Sequence, residues 1–141
     1  MANVYNRGKT ILGNGTLDWD TTAVKCMLVT ASYTYDVDHN TRSDITNEIT
    51  NGGYTAGGNA VNNRTVTQDD TNNRAKYDAD DVTFLALAAG DQPTQAILYR
   101  DSGAAATDDL ICRCALTTPP APNGGDYKIV WSADGIFYLE D

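Results

Sequence analysis

No stretch longer than about ten residues in this chain carries a helical period. Short runs that alternate apolar and polar residues recur instead, separated by clusters rich in Gly, Asn and Asp. Alternation at a period of two puts successive side chains on opposite faces of an extended chain, so these runs predict β-strands. The clearest is 23–29, with Val24, Cys26 and Leu28 on one face and Lys25, Met27 and Val29 on the other. Further strands are expected over 60–67, 74–78, 82–88, 96–100, 110–116, 127–131 and 136–139. The run 82–88 is apolar on both faces (Val82, Phe84 and Ala86 against Leu85 and Leu87), which suits a central strand covered twice.

The connections agree with an antiparallel arrangement. Residues 101–108 read as a long hairpin loop between two strong strands. The segment 132–135 ends in Asp134-Gly135, a pair that favours positive φ, and is expected to close a C-terminal hairpin. Residues 118–125 hold three prolines and two glycines and form a surface loop, because proline cannot donate to a ladder. One short helix is expected at 44–49, with Ser43 or Asp44 as cap and Ile45 and Ile49 as an i, i+4 pair. The fold class is therefore all-β: an antiparallel β-sandwich, jelly-roll or immunoglobulin-like, of about eight strands. Residues 1–14 are expected to form an extended N-terminal arm, and 15–141 a single sandwich domain. On that expectation, deleting the arm leaves thermal unfolding of the domain nearly unchanged.

Composition excludes several classes. Of 141 residues, 41% are hydrophobic, enough for a packed core and too many for wholesale disorder. Nineteen Asp and Glu against ten Lys and Arg give a net charge of −9, which disfavours direct binding to nucleic acid phosphates. No apolar run reaches the roughly 20 residues of a membrane-spanning helix, and the N-terminus lacks the apolar core of a secretory signal. The three cysteines, Cys26, Cys112 and Cys114, read as reduced thiols; Cys112 and Cys114 share a strand face and act as small core hydrophobes. A bridge from Cys26 is an alternative.

Each pattern that could carry chemistry has a plainer explanation beside it. His39 is the only histidine, so a Cys/His metal site lacks ligands and a nucleophile lacks a base. Asp36, Asp38 and Asn40 imitate the start of a calcium loop, but the sixth position is Thr41 and the twelfth Asn47, so a turn held by Asx hydrogen bonds competes. Residues 51–58 contain two Gly-Gly pairs but lack the Gly-Lys-Ser/Thr of a phosphate loop. The acidic clusters Asp69-Asp70 and Asp78 to Asp81 could supply a glycosidase pair or a solvated surface. Tyr33, Tyr35, Tyr54, Trp131 and Tyr138 could stack on sugars or fill core and interfaces. No catalytic, cofactor-binding or metal-binding residue is assigned, and neither enzyme activity nor a cofactor is expected.

The order of these elements resembles a group of small structural proteins of tailed bacteriophages. The similarity runs through 11–20 and Val24-Lys25-Cys26-Met27-Leu28-Val29, then Ser32-Tyr33-Thr34-Tyr35-Asp36-Val37-Asp38-His39 and Ser43-Asp44-Ile45 with Glu48-Ile49. It continues through Gly53 to Gly58, Ala79 to Phe84 and Gln95 to Tyr99. The resemblance implies a virion component of the head-decoration or minor-capsid type. It implies contacts with the major capsid protein and with copies of the chain itself, in a homo-oligomer, and location in the virion. It carries over no catalytic residue. A neck or tail component and a carbohydrate-binding β module are the alternatives.

Overall fold

The computed structural model describes residues 2–140. The elements in order are β1 (Asn3–Val4), α1 (Asn6–Gly13), β2 (Val24–Val29), β3 (Asn59–Ala60), β4 (Thr65–Asp69) and β5 (Arg74–Asp78). They are followed by β6 (Val82–Phe84), β7 (Gln95–Arg100), β8 (Leu110–Ala115), β9 (Tyr127–Ile129) and β10 (Phe137–Glu140). All pairings are antiparallel, in a five-stranded sheet β1-β8-β7-β2-β3, a three-stranded sheet β10-β5-β4 and a two-stranded sheet β6-β9. The fold is all-β and sandwich-like.

One core joins the three sheets. Val24, Cys26, Leu28, Ala96, Leu98 and Cys112 of the large sheet meet Tyr77 and Phe137 of the second and Val82, Phe84, Tyr127 and Ile129 of the third. Trp19 stands edge-on to both Tyr77 and Phe137, which stack on each other at 4.5 Å. The opposite face of the large sheet carries Met27, Val29, Ile97, Tyr99 and Leu110, covered by Tyr5 and Tyr33. The strands covered twice are thus β2 and β7, which pair without interruption from Val24↔Arg100 to Val29↔Gln95.

The run 82–88 does not hold that central place. Strand β6 ends at Phe84, Leu85 is 66% exposed, and Ala86 turns at φ 49° with its N–H held by Asp126 Oδ1 at 3.0 Å. Nor is 60–67 one strand. Asn63 adopts φ 48°, and the Arg64 guanidinium donates to the carbonyls of Trp19, Val61 and Thr22, which pins the break between β3 and β4.

The N-terminal segment is folded, not an extended arm. Strand β1 pairs with β8, and α1 lies against it with Tyr5 and Ile11 fully buried. Intrinsic preference does not explain this helix: Tyr5 at its N-cap gives no side-chain bond, and its first turn holds no acid. Tertiary contact does. Tyr5 N–H donates to Ile111 O at 3.0 Å, and the chain passes so close at Gly8 that a Cβ would lie 2.3 Å from Ile111 O.

The helix expected at 44–49 is absent. A 3₁₀ turn covers Arg42–Asp44, where Asp44 Oδ2 accepts the N–H groups of Asn40 and Thr41, both at 2.9 Å. Ile45 is already extended, and Ile49 N–H reaches Leu28 O at 3.1 Å on the edge of β2. The hairpin loop 101–108 forms as expected between β7 and β8. The turn at 132–135 also forms, with Gly135 N–H on Ser132 O at 2.8 Å, but it does not close a hairpin. It passes the chain between sheets, β9 to β6 and β10 to β5. Beyond the turn, Ala2 N–H donates to Ile136 O at 3.1 Å.

Candidate functional site

The most deeply buried charges are two adjacent carboxylates at the start of β8. Asp108 Oδ2 accepts from Arg42 Nε at 2.8 Å, while its Oδ1 accepts from the N–H and hydroxyl of Ser102 at 2.7 and 2.9 Å. Burial opposes the Asp108 charge, yet Arg42 and Ser102 together hold its carboxyl below the usual range. Asp109 lies between Arg7 and Arg100, each donating through Nε at 2.8 Å. The site ties α1, the 3₁₀ turn and the 101–108 loop to one strand. Arg42 and Ser102 on Asp108, and Arg7 and Arg100 on Asp109, engage all four carboxylate oxygens, an arrangement that orders loops.

The Gly-rich loop 51–58 is organised by Glu48. Its Oε1 accepts the Tyr54 hydroxyl at 2.7 Å and the Gly57 N–H at 2.6 Å, and Tyr99 donates back to Gly57 O at 2.6 Å. Burial and then the bond to Glu48 push the Tyr54 phenol up. The N–H that would face a phosphate already serves the protein's own carboxylate. Gly58, at φ 75°, brings the loop so close that a Cβ would meet Cys26 O at 1.9 Å. The paired glycines therefore serve close packing, as the plainer reading of the sequence has it.

The other candidates are dispersed. Asp36 Oδ1 accepts Asp38 N–H at 3.0 Å, Asp38 Oδ1 accepts Asn6 Nδ2 at 2.6 Å, and Asn40 Nδ2 donates to Asp38 O at 2.8 Å. The first is the Asx bond of a turn, the second ties that turn to α1, and the third closes the turn from Asn40. Among the described residues, no three His, Cys, Asp or Glu side chains are grouped to hold a metal ion. His39 Nδ1 sits 3.0 Å from the Tyr33 hydroxyl, itself 2.9 Å from that of Tyr5. Burial raises both phenols, so this chain of contacts ties the N-terminal segment to the 31–40 loop and presents no ready nucleophile.

Cys26 and Cys112 are fully buried free thiols on the main core face, and burial pushes both well up. Cys114 is half-buried beside them. The acids of the two clusters bond locally: Asp69 with Arg74 at 2.8 Å, Asp70 with Gln68 at 2.6 Å, Asp80 with Asn63 at 2.6 Å and Asp81 with Lys128 at 2.9 Å. The aromatics share no platform. Tyr54 stacks on Phe84 inside, while Tyr138 lies under the Arg74 guanidinium at 3.8 Å.

The surface holds what sequence reasoning did not pick out. A groove of about 420 Å³ opens between the end of β8 and β9, where Leu116, Pro119, Pro120, Val130 and Trp131 share the lining with polar Thr117, Lys128 and Ser132. Val130 beside it is 69% exposed, and Trp131 is fixed by Nε1 donating to Asp80 O at 2.9 Å. A second apolar strip, Val66, Ala75 and Leu139, continues the inner face of the three-stranded sheet past the core. Its signal was present in the alternation of 74–78 and 136–139, which has one apolar face longer than the core that covers it. No protein family, curated protein or solved structure matches this chain.

Proposed function

We propose that the protein is a structural component of a tailed-phage virion, a decoration or cement protein that stabilises the head shell through contacts with the major capsid protein and with its own copies. The observation that carries this reading is how the chain distributes its side chains. Its buried carboxylates Asp108 and Asp109, their arginine partners and the phenols of Tyr5, Tyr33 and Tyr99 are engaged in holding loops, while large apolar side chains (Val66, Leu85, Val130 and Leu139) are left on the surface. Exposed apolar strips bordered by polar residues suit protein–protein contact. The order of elements resembling small phage structural proteins supports the same reading.

The groove beside Trp131 supplies the face toward the shell, and many copies on one particle would strengthen individually modest contacts. The test is quantitative mass spectrometry of purified particles of the phage that encodes the chain. Decoration requires on the order of hundreds of copies per particle, whereas about six or twelve would move the protein to the neck or tail. Absence from the particles overturns the proposal.

A further inference from the structure

Strand β4 is the outer strand of the sheet β10-β5-β4. Thr65, Val66, Thr67 and Gln68 are all exposed, and Asp69 is half-buried against Arg74. The strand runs in unbroken register with β5 from Thr65↔Asp78 to Asp69↔Arg74. An outer strand offers a row of unpaired N–H and C=O groups, which proteins ordinarily blunt with lysine, proline, a bulge or short length. Strand β4 has none of these. The outer strands β1 and β3 of the large sheet are two residues long, whereas β4 has five.

Charge decides what fits there. The chain as a whole carries −9, so two copies meeting at random would repel. Strands β4 and β5 are locally neutral: Asp69 and Asp78 balance Arg74 and Lys76, in pairs at 2.8 and 3.5 Å. An antiparallel pairing of β4 with itself, centred on Thr67, sets Thr65 opposite Asp69 of the second copy and Val66 opposite Gln68. No like charges then face each other, and Thr67 meets its own symmetry mate, a favourable cross-strand pair. The same pairing extends the strip Leu139, Ala75 and Gln68 with Val66 of the second copy.

We propose that this chain self-associates through β4, two copies joining their three-stranded sheets into one six-stranded antiparallel sheet about a two-fold axis at Thr67. A two-fold contact of this kind uses the same patch on both partners and closes on itself. The inference specifies the self-contact in the function proposed above and rests on that reading for its setting. It is tested on the isolated chain, so its failure is separate from absence of the protein from particles.

Sedimentation velocity should show the wild-type mass doubling as concentration is raised. Thr67→Lys sets two cations across the axis and should weaken self-association by about tenfold or more. Thr67→Glu, whose carboxylate lies opposite Lys76 of its own chain, should weaken it less, and mixing the two variants should restore the dimer. Because Thr67 is exposed, circular dichroism of either variant should match the wild type. Thr67→Cys should form a disulfide-linked dimer on mild oxidation, which the wild type, with its three native cysteines, should not. A wild type that stays monomeric at every concentration, a Thr67→Lys variant that dimerises as tightly as the wild type, or a mixture that stays monomeric would each overturn the proposal.

Discussion

Arg7 and Asp109, 102 positions apart, are joined by a 2.8 Å bond that fastens the N-terminal helix to the strand at the centre of the polar scaffold. Asp109 is nearly inaccessible, and its other oxygen is held by Arg100. Arg7→Met should therefore cost about 1–2 kcal/mol, with the partial exposure of Arg7 and the remaining Arg100 contact keeping the loss modest. Removal of residues 2–14 should cost far more, since it strips two fully buried side chains, Tyr5 and Ile11, from the two cores. Urea unfolding of both variants checks the order.

Asp108 makes stability depend on acid. Its folded carboxyl is held below its unfolded value of about 3.9, so its contribution is fully present above about pH 4 and is lost as pH falls through the folded value. Asp108→Asn leaves Arg42 facing a neutral amide and should cost about 3–5 kcal/mol at neutral pH. The variant's stability should also fall less steeply with acid than that of the wild type. Thermal melts from pH 7 to pH 2 read both effects.

Glu48 holds two donors on one oxygen, so the order of substitutions is informative. Glu48→Ala strands the Tyr54 hydroxyl and the Gly57 N–H and should cost about 2–3 kcal/mol. Glu48→Gln keeps an acceptor and should cost less. In a cycle with Tyr54→Phe, the two losses should fall short of additive, because they share a bond. Equal losses for the two Glu48 variants would show that charge, not acceptance, matters there.

Gly58 separates backbone freedom from space. Gly58→Ala drives a Cβ to 1.9 Å from Cys26 O and should cost more than about 3 kcal/mol or prevent folding. Gly103 also has positive φ, 94°, but nothing lies within 4 Å of its Cβ position. Gly103→Ala should lose only about 1–2 kcal/mol, the cost of the left-handed backbone. Denaturant midpoints of the two variants give the comparison.

The sheet was legible where alternation and two-sided burial coincide with long strands. The run 23–29 matches β2 to within a residue, and β5, β7 and β8 lie close to their expected places. Apolar content misled at 82–88, because Leu85 is apolar but exposed and only a contact with Asp126 reveals the bend at Ala86. Helix α1 was hidden because its sequence, with Gly8 and no capping side chain, forms a helix only where β8 receives it. Asp134-Gly135 predicts the C-terminal turn that forms, but not that its flanking strands join different sheets, since which sheet each joins is set by distant partners. At the site, the plain readings of the glycines and of Asp36 and Asp38 agree with the geometry. The pairs of Asp108 with Arg42 and of Asp109 with Arg7 gave no local signal, being made across 66 and 102 positions, whereas Arg100 reaches Asp109 across the hairpin only nine positions away.

The bond from Ala2 to Ile136 makes the described chain nearly a ring. A ribosome releasing this protein from its N-terminus would have to deliver residue 136 before that ring could shut, and β1 must wait for β8 as well. Docking of the N-terminal segment must therefore wait until β8 and residue 136 have been made, and until then Tyr5 and Ile11 lack their native cover. The same adjacency offers a remedy: joining residues 2 and 140 by a short linker and reopening the chain at the exposed loop tip 103–104, away from buried Asp108, keeps every sheet pairing. Such a permutant would begin with β8 and form the β8–β1 seam early.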